Sequence, residues 1–337
     1  MKIWYDACTG KHVRYGTAIA KRLRKSGHEI IFTTREHPDT LALAKMLGES
    51  PIVVGKYRPQ SLFSRLEESS NRILQFSEMF EDDLPDIAVS HQSIELCRTA
   101  FGLGIPMVLT ADTPHATAVN RLTIPLADTL VASEAIPRQF FRNYGKPKIV
   151  QFKGVDEVAW AEDVKPSKVS LLKRPLIVVR QMETRASYAL GKDDLTTKLA
   201  QRLASLGNVL FLPRYNKRGK RGLATKKKIV DSASVAASAD LVVSVGGTIS
   251  REAALQGVPS IVVSEMGRTY VNKYLSERGF PLFIVDSSKM LRYARKYLGR
   301  RFDVKNKLAK LENPVDAIEK IVNGEQSARN VPRKSTS

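Results

Sequence analysis

Short apolar runs recur along this chain, each followed by an amphipathic stretch of helical length, and the alternation starts afresh midway. Strands separated by helices of that length predict parallel sheets covered by helices. In the first half the strand runs are MKIWYDA, EIIFTTR, DIAVS, IPMVLTAD and DTLVAS. Between them, VRYGTAIAKRLRKSGH sets Ala18, Ile19 and Leu23 on one helical face and stops at Gly27. SLFSRLEESSNRILQFSEMFEDDLP is a longer amphipathic stretch, SIELCRTAFGLG ends in glycine, and TAVNRLTIPLA is helical up to its proline. After the irregular, polar VDEVAWAEDVKPSKVSLLKRP come the strand runs LIVVRQ, NVLFLPR, DLVVSVGG, PSIVVSE and FPLFIVD, again with helices between.

The 337 residues suffice for two domains. The expected fold class is α/β: two domains of similar length, each a twisted parallel sheet with helices on both faces, with a cleft between them. The expected boundaries are 1–158 for the first domain, 159–173 for a linker, 174–324 for the second domain and 325–337 for a disordered tail. Ligands of such sheets bind beyond the carboxyl ends of the strands, so the cleft is the expected site.

Charge is unevenly spread. The whole chain carries +20, but residues 1–160 hold 20 Lys/Arg against 18 Asp/Glu, whereas residues 161–337 hold 34 against 16. The second half therefore attracts anions: nucleotides, nucleic acid or an anionic membrane surface. Cys8 and Cys97 give neither a metal spacing nor a disulfide framework, and MKIWYDACTG lacks the layout of a signal peptide. No apolar run reaches membrane-spanning length. The expected location is cytoplasmic, with peripheral membrane contact where an acceptor requires it.

The densest signal is VSVGGTISREAALQGVPSIVV, Val243 to Val263. It reads strand, glycine turn, helix, proline, strand. Gly246 and Gly247 allow close backbone approach to a ligand. The following helix offers free amides and a positive dipole end to phosphate. Thr248 and Arg251 stand beside that end, and Glu252 could accept hydrogen bonds from two neighbouring sugar hydroxyls. A plain strand-to-helix crossover, with Glu252 favouring the helix start, explains the turn alone.

This segment resembles the nucleotide-binding part of GT-B glycosyltransferases and of the related UDP-N-acetylglucosamine 2-epimerases. Over residues 1 to about 285, the stretches GKHV, AFGLGIP, RLTIPLAD, FKGVDEVAW, VVR…ASYA and GGTISREAALQGVP resemble the family called domain of unknown function 354. The resemblance implies a GT-B-like α/β fold, two Rossmann-like domains facing across a cleft, in which Glu252 meets ribose hydroxyls and Gly246, Gly247 and Thr248 meet a diphosphate. It also sets Gly10 and His12 on the loop after the first strand, where such enzymes often have glycines and a histidine facing the cleft. That loop is poorer in glycine than in transferases that bind lipid-linked acceptors.

Inverting glycosyl transfer needs a general base and positive charge on the leaving diphosphate. A helix terminus with Arg or Lys can supply that charge without a metal. Base candidates are His12, Asp112 and His115; Asp112 could equally cap a helix. Diphosphate candidates are Arg180, Arg214 and Arg251. Epimerases of this fold have an acidic residue shortly before an Asn-Arg pair, where this chain has Ala118-Val119 before Asn120-Arg121. Their Gly-Asp is replaced by Ser90-His91-Gln92, which weighs against epimerisation. The run RYNKRGKRGLATKKK, Arg214 to Lys228, holds eight basic residues and one aromatic, Tyr215. A mobile loop, or a lid over a diphosphate, ranks above a nucleic-acid groove. The basic helices after Ser288 would suit anionic lipid, where a lipid-linked acceptor is found; a polymeric acceptor is the other class.

The expected function is a nucleotide-sugar-binding, metal-independent glycosyltransferase with a UDP-type sugar as substrate and no tightly bound cofactor. The alternatives are a sugar-nucleotide 2-epimerase or hydrolase, and a non-catalytic binder of nucleotide sugar or anionic polymer.

Overall fold

In the computed structural model, residues 1–166, 173–182, 195–214, 223–225, 231–263 and 269–329 are described, the last five by their backbone. The chain forms two units: Met1–Ala159 with the segment from Glu312 onward, and Trp160–Leu311.

The first unit is built on seven strands: β1 (Lys2–Ala7), β2 (Glu29–Glu36), β3 (Ile52–Lys56), β4 (Ile87–Ser90), β5 (Met107–Thr110), β6 (Thr129–Ser133) and β7 (Lys148–Phe152). They pair in parallel in the order β3-β2-β1-β4-β5-β6-β7. The chain winds outward from β1 to β3, then returns to the other side of β1 as β4. Adjacent strands β1 and β4 thus leave their carboxyl ends in opposite directions, which opens a crevice there. β4, β5 and β6 are wholly buried, as expected of parallel strands covered on both faces. The two edge strands, β3 and β7, are absent from the sequence expectation. An edge strand is half-wetted, and β3 leaves Ile52 and Val53 exposed, so neither gives a clean apolar run.

The second unit has six parallel strands: β8 (Leu176–Arg180), β9 (Asn208–Leu212), β10 (Ala224–Thr225), β11 (Leu241–Ser244), β12 (Ser260–Val263) and β13 (Leu282–Val285). Their order is β10-β9-β8-β11-β12-β13, so the winding reverses between β8 and β11. Apolar clusters hold each face: Ile177, Val179, Phe211 and Val243 on one, and Val178, Leu210, Val242 and Ile249 on the other. β10, two residues long, lies within the basic run.

Two expectations about boundaries differ from the structure. The segment taken as a linker from 159 begins in a helix, Val158–Ala161, whose Trp160 is buried. The segment taken as a tail from Glu325 continues the helix Pro314–Arg329. That helix belongs to the first unit, where Asp316 and Glu319 receive Arg22 Nη1 at 2.6 and 3.0 Å. Residues 183–194, which include ASYA, most of the 214–228 run and residues 330–337 lie outside the described residues. Among the described residues no helix is long and apolar enough to cross a membrane.

Candidate functional site

In the first unit the switch point between β1 and β4 gathers the titratable groups. The helix Gly10–Lys25 follows β1 closely, with Thr9 as its N-cap accepting from the His12 amide. This turn brings Lys11 and His12 to the crevice. From the other side, the turn after β4 supplies His91, whose ring meets that of His12 edge-on at 5.1 Å. Gln92, beside it, has φ 56°, a backbone state uncommon for a residue other than glycine. Its amide donates to Asn120 Oδ1 at 2.7 Å, so the strained turn is tied to the helix Thr117–Thr123.

Asp112, after β5, and Asp156, after β7, complete the group. Lys11 Nζ donates to Asp112 Oδ2 at 2.5 Å and to Asp156 Oδ2 at 2.7 Å. His91 Nε2 lies 3.5 Å from Asp112 Oδ1, and His91 Nδ1 is 2.7 Å from Thr110 Oγ1. Burial raises the Asp156 carboxyl above its usual range, and the nearby Asp112 charge adds to this against Lys11. Burial lowers His12 well below the usual histidine range, helped by His91, Lys11 and Arg35, so its imidazole is neutral at neutral pH. The Cys8 amide donates to His12 Nδ1 at 3.4 Å. A neutral ring accepting at Nδ1 carries its proton on Nε2. In that tautomer His12 presents an N–H at Nε2, a hydrogen-bond donor, and its Nδ1 lone pair is already engaged.

Beneath this crevice lies a second buried network. Arg72 Nη2 donates to Asp6 Oδ1 at 2.8 Å and Arg72 Nη1 stands 3.2 Å from Glu95 Oε2. Ser93 and Thr33 donate their hydroxyls to Asp6. Cys8 adjoins it, its thiol pushed up to about 12 by burial and by Asp6, so it is no thiolate nucleophile.

In the second unit the switch point between β8 and β11 is occupied by the glycine turn. Gly246 and Gly247 have φ of 119° and 116°, values open to glycine and closed to most residues. Gly247 is the N-cap of the helix Thr248–Leu255 and offers no side-chain cap. The first amides of that helix and its positive end are therefore presented beside Thr248, which is half-buried. Ser244 Oγ receives the Gly246 amide at 3.0 Å and lies 2.6 Å from Ser250 Oγ, which fixes the turn.

The other expected residues sit as follows. Glu252 is 4 % exposed and its Oε1 accepts from the Trp160 indole at 3.0 Å. Arg251 is buried too, with Nη1 3.2 Å from Asn272 Oδ1. Arg180 Nη1 donates to the Pro213 carbonyl at 3.5 Å, and Arg214 Nε donates to the Gln181 carbonyl at 2.9 Å. These two arginines tie together the loops after β8 and β9. His115 is exposed in the turn after β5. Lys11 and Asp156 are not among the site residues expected from sequence, and His91 enters there only within Ser90-His91-Gln92, in place of a Gly-Asp. Asp156 stands in GVDE and His91 in SHQS, both just past strands, and that position was the available signal.

Two parallel doubly wound units, each with its polar groups at a switch point, have the GT-B fold. Solved structures with this fold include an S. aureus MnaA–UDP co-structure (16 % identity, TM-score 0.69, covering 100 % of this chain and 99 % of that one). A Methanocaldococcus jannaschii UDP-GlcNAc 2-epimerase in complex with UDP-GlcNAc and UDP matches at 13 % identity and TM-score 0.68, over 96 % and 99 %. Spinosyn rhamnosyltransferase SpnG complexed with thymidine diphosphate matches at 13 % and 0.59, over 95 % and 99 %. In sequence the chain is 28 % identical to the M. jannaschii protein MJ0665 over 335 residues, 94 % of this chain and 96 % of that one. The model of the family described as "Protein of unknown function (DUF354)" matches residues 1–326, and the chain belongs to that family.

Proposed function

We propose that this protein binds a nucleotide sugar, with a UDP-type donor, and acts as a metal-independent glycosyltransferase. The observation that carries the reading is the Gly246-Gly247-Thr248 turn at the β8/β11 switch point, with both glycines at positive φ and the helix start uncapped by a side chain. Such a turn suits a diphosphate. Solved structures of the same fold hold UDP or thymidine diphosphate, which supports a nucleoside diphosphate as ligand.

In this reading Asp112 takes the proton of an acceptor hydroxyl as its oxygen attacks the anomeric carbon. The bond to the diphosphate breaks, and the helix amides and dipole stabilise the departing charge. Lys11 serves as the cation shared by Asp112 and Asp156, and His12 donates a hydrogen bond from Nε2. Exposed Arg292, Arg295 and Lys296 on the helix Met290–Tyr297 would favour an acceptor at an anionic surface.

A second reading, sugar-nucleotide epimerisation or hydrolysis, draws on Asp156. A second carboxyl beside Asp112, raised by burial, is the kind of partner that proton exchange at a sugar carbon uses.

The test is calorimetry with UDP-, GDP-, CDP- and dTDP-sugars on the wild type, Thr248→Ala and Asp112→Asn. The expected result is binding of one nucleotide class, at least tenfold weaker in Thr248→Ala and retained in Asp112→Asn, with turnover lost in the latter. No binding of any nucleotide at low salt overturns the reading. Binding without release of sugar or appearance of an epimer leaves a non-catalytic binder.

A further inference from the structure

The helix Leu62–Met79 in the first unit is inside out. Its buried positions are Ser64, Glu68, Arg72 and Phe76, three of them polar, one per turn. Arg72 reaches inward to Asp6, and Glu68 Oε1 accepts the Lys56 amide at 2.6 Å. Gly55 leaves room for this, since a Cβ there would lie 2.3 Å from Arg72 Cγ. Its exposed positions include four large apolar side chains, Leu62, Phe63, Leu66 and Leu74, at 76, 73, 68 and 59 % exposed, beside Ser70, Asn71, Gln75 and Glu78. Ile52 and Val53 of β3, which packs on this helix, are exposed as well. Scattered exposed apolar residues need no explanation, but a contiguous set on one helix face marks an interaction site.

We infer that this face pairs with the same face of a second copy of the chain, the two helices antiparallel about a two-fold axis at Ser70. Leu66 lies four residues before Ser70 and Leu74 four residues after it. All three therefore share one helix face, and a two-fold axis at Ser70 sets Leu66 of each copy against Leu74 of the other. Exposed Ser70 is small enough for the helices to approach at the axis. Charge favours the same arrangement. The start of the helix carries Lys56, Arg58 and Arg65, of which Lys56 lies 3.9 Å from Glu36 and Arg58 2.7 Å from Glu67, with Glu68 buried beside them; its end carries Glu78, Glu81, Asp82 and Asp83, of which Asp83 pairs with Lys2, so the end is the acidic one. Antiparallel pairing about a two-fold axis keeps the two acidic ends apart and sets each beside the start of the other helix, where Arg65 stands. The acidic end would be repelled by an anionic lipid surface, so a second copy fits better than a membrane. The surface is independent of the nucleotide reading.

Sedimentation velocity on the full chain tests this, the monomer being 37.5 kDa. The wild type is expected to run as a dimer, and Leu66→Glu or Leu74→Glu alone to weaken it at least tenfold, with unchanged circular dichroism. Combining Leu66→Lys with Leu74→Glu restores it, because each lysine then faces a glutamate. Ser70→Cys forms a disulfide-linked dimer on mild oxidation. A wild type that stays monomeric at roughly 100 µM overturns the inference, as does a dimer indifferent to Leu66→Glu. A monomer that sediments with phosphatidylglycerol vesicles through Leu66 overturns it in favour of lipid.

Discussion

Lys11 Nζ stands 2.7 Å from Asp156 Oδ2 across 145 residues of sequence, and the same ammonium holds Asp112. One cation thus joins the turn after β1 to those after β5 and β7. Two nearly buried carboxylates this close require a shared counter-charge or a shared proton.

Replacing Lys11 by methionine removes that counter-charge and keeps the volume. Stability should fall by about 3 kcal/mol, the usual cost of leaving a buried charge without its partner. Adding Asp156→Asn to Lys11→Met should recover part of the loss. Urea unfolding of the single and double variants measures both.

His12 gives a pH prediction. Its folded pKa is depressed, so below the unfolded value of about 6.5 the unfolded chain binds more protons than the folded one. The His12 contribution therefore destabilises progressively as pH falls below that value. His12→Asn should flatten this part of the profile. Asp156, with its raised folded pKa, has the opposite sign: on the way down through its folded pKa toward the unfolded value, protonation favours the folded state. Unfolding midpoints of wild type, His12→Asn and Asp156→Asn between pH 4 and 8 separate the two, those limits being roughly the range between the ordinary carboxyl and histidine values and beyond.

The Trp160 indole bonds to Glu252 Oε1. Trp160→Phe keeps most of the ring and deletes the donor, so stability should drop by about 2 kcal/mol, as for a hydrogen bond to a buried carboxylate. A double-mutant cycle with Glu252→Met, which removes the acceptor, should show coupling above roughly 0.5 kcal/mol. Additive losses would mean that the contact carries no energy of its own.

Gly257, the glycine of ALQGVP, has φ 71°, and a Cβ there would lie 2.2 Å from the Phe302 carbonyl oxygen. Backbone strain and the clash act together in Gly257→Ala. The expected loss is about 3 kcal/mol, read as a lowered urea midpoint with an unchanged slope.

Much of the fold was legible because strands buried on both faces must be apolar and parallel connections must be long. β1, β4, β5, β6, β8, β11 and β12 all stand out this way, as does the edge strand β13, whose four residues are all apolar. The edge strands β3, β7 and β10 did not, since a half-wetted strand needs no continuous apolar run. Gly246 and Gly247 were legible because positive φ leaves glycine as the easy choice. The partners of Asp112 were not. Lys11 and Asp156 look like ordinary charged residues in sequence, and their meeting depends on three turns being stacked at one crevice by strand order. Glu252 and Arg251 likewise lie on a helix start in sequence, and only packing reveals that both are buried, against Trp160 and Asn272.

The sequence by itself determined the alternation of strand and helix, its restart midway and the glycine turn, because these are local consequences of periodicity and backbone freedom. Tertiary structure decided which strand neighbours which, and with it the winding reversals at β1/β4 and β8/β11. It also sent the polar side of the helix Leu62–Met79 inward to Asp6. A buried carboxylate demands a partner wherever the chain can supply one, and that demand outweighed the preference of Leu62, Phe63 and Leu66 for the core.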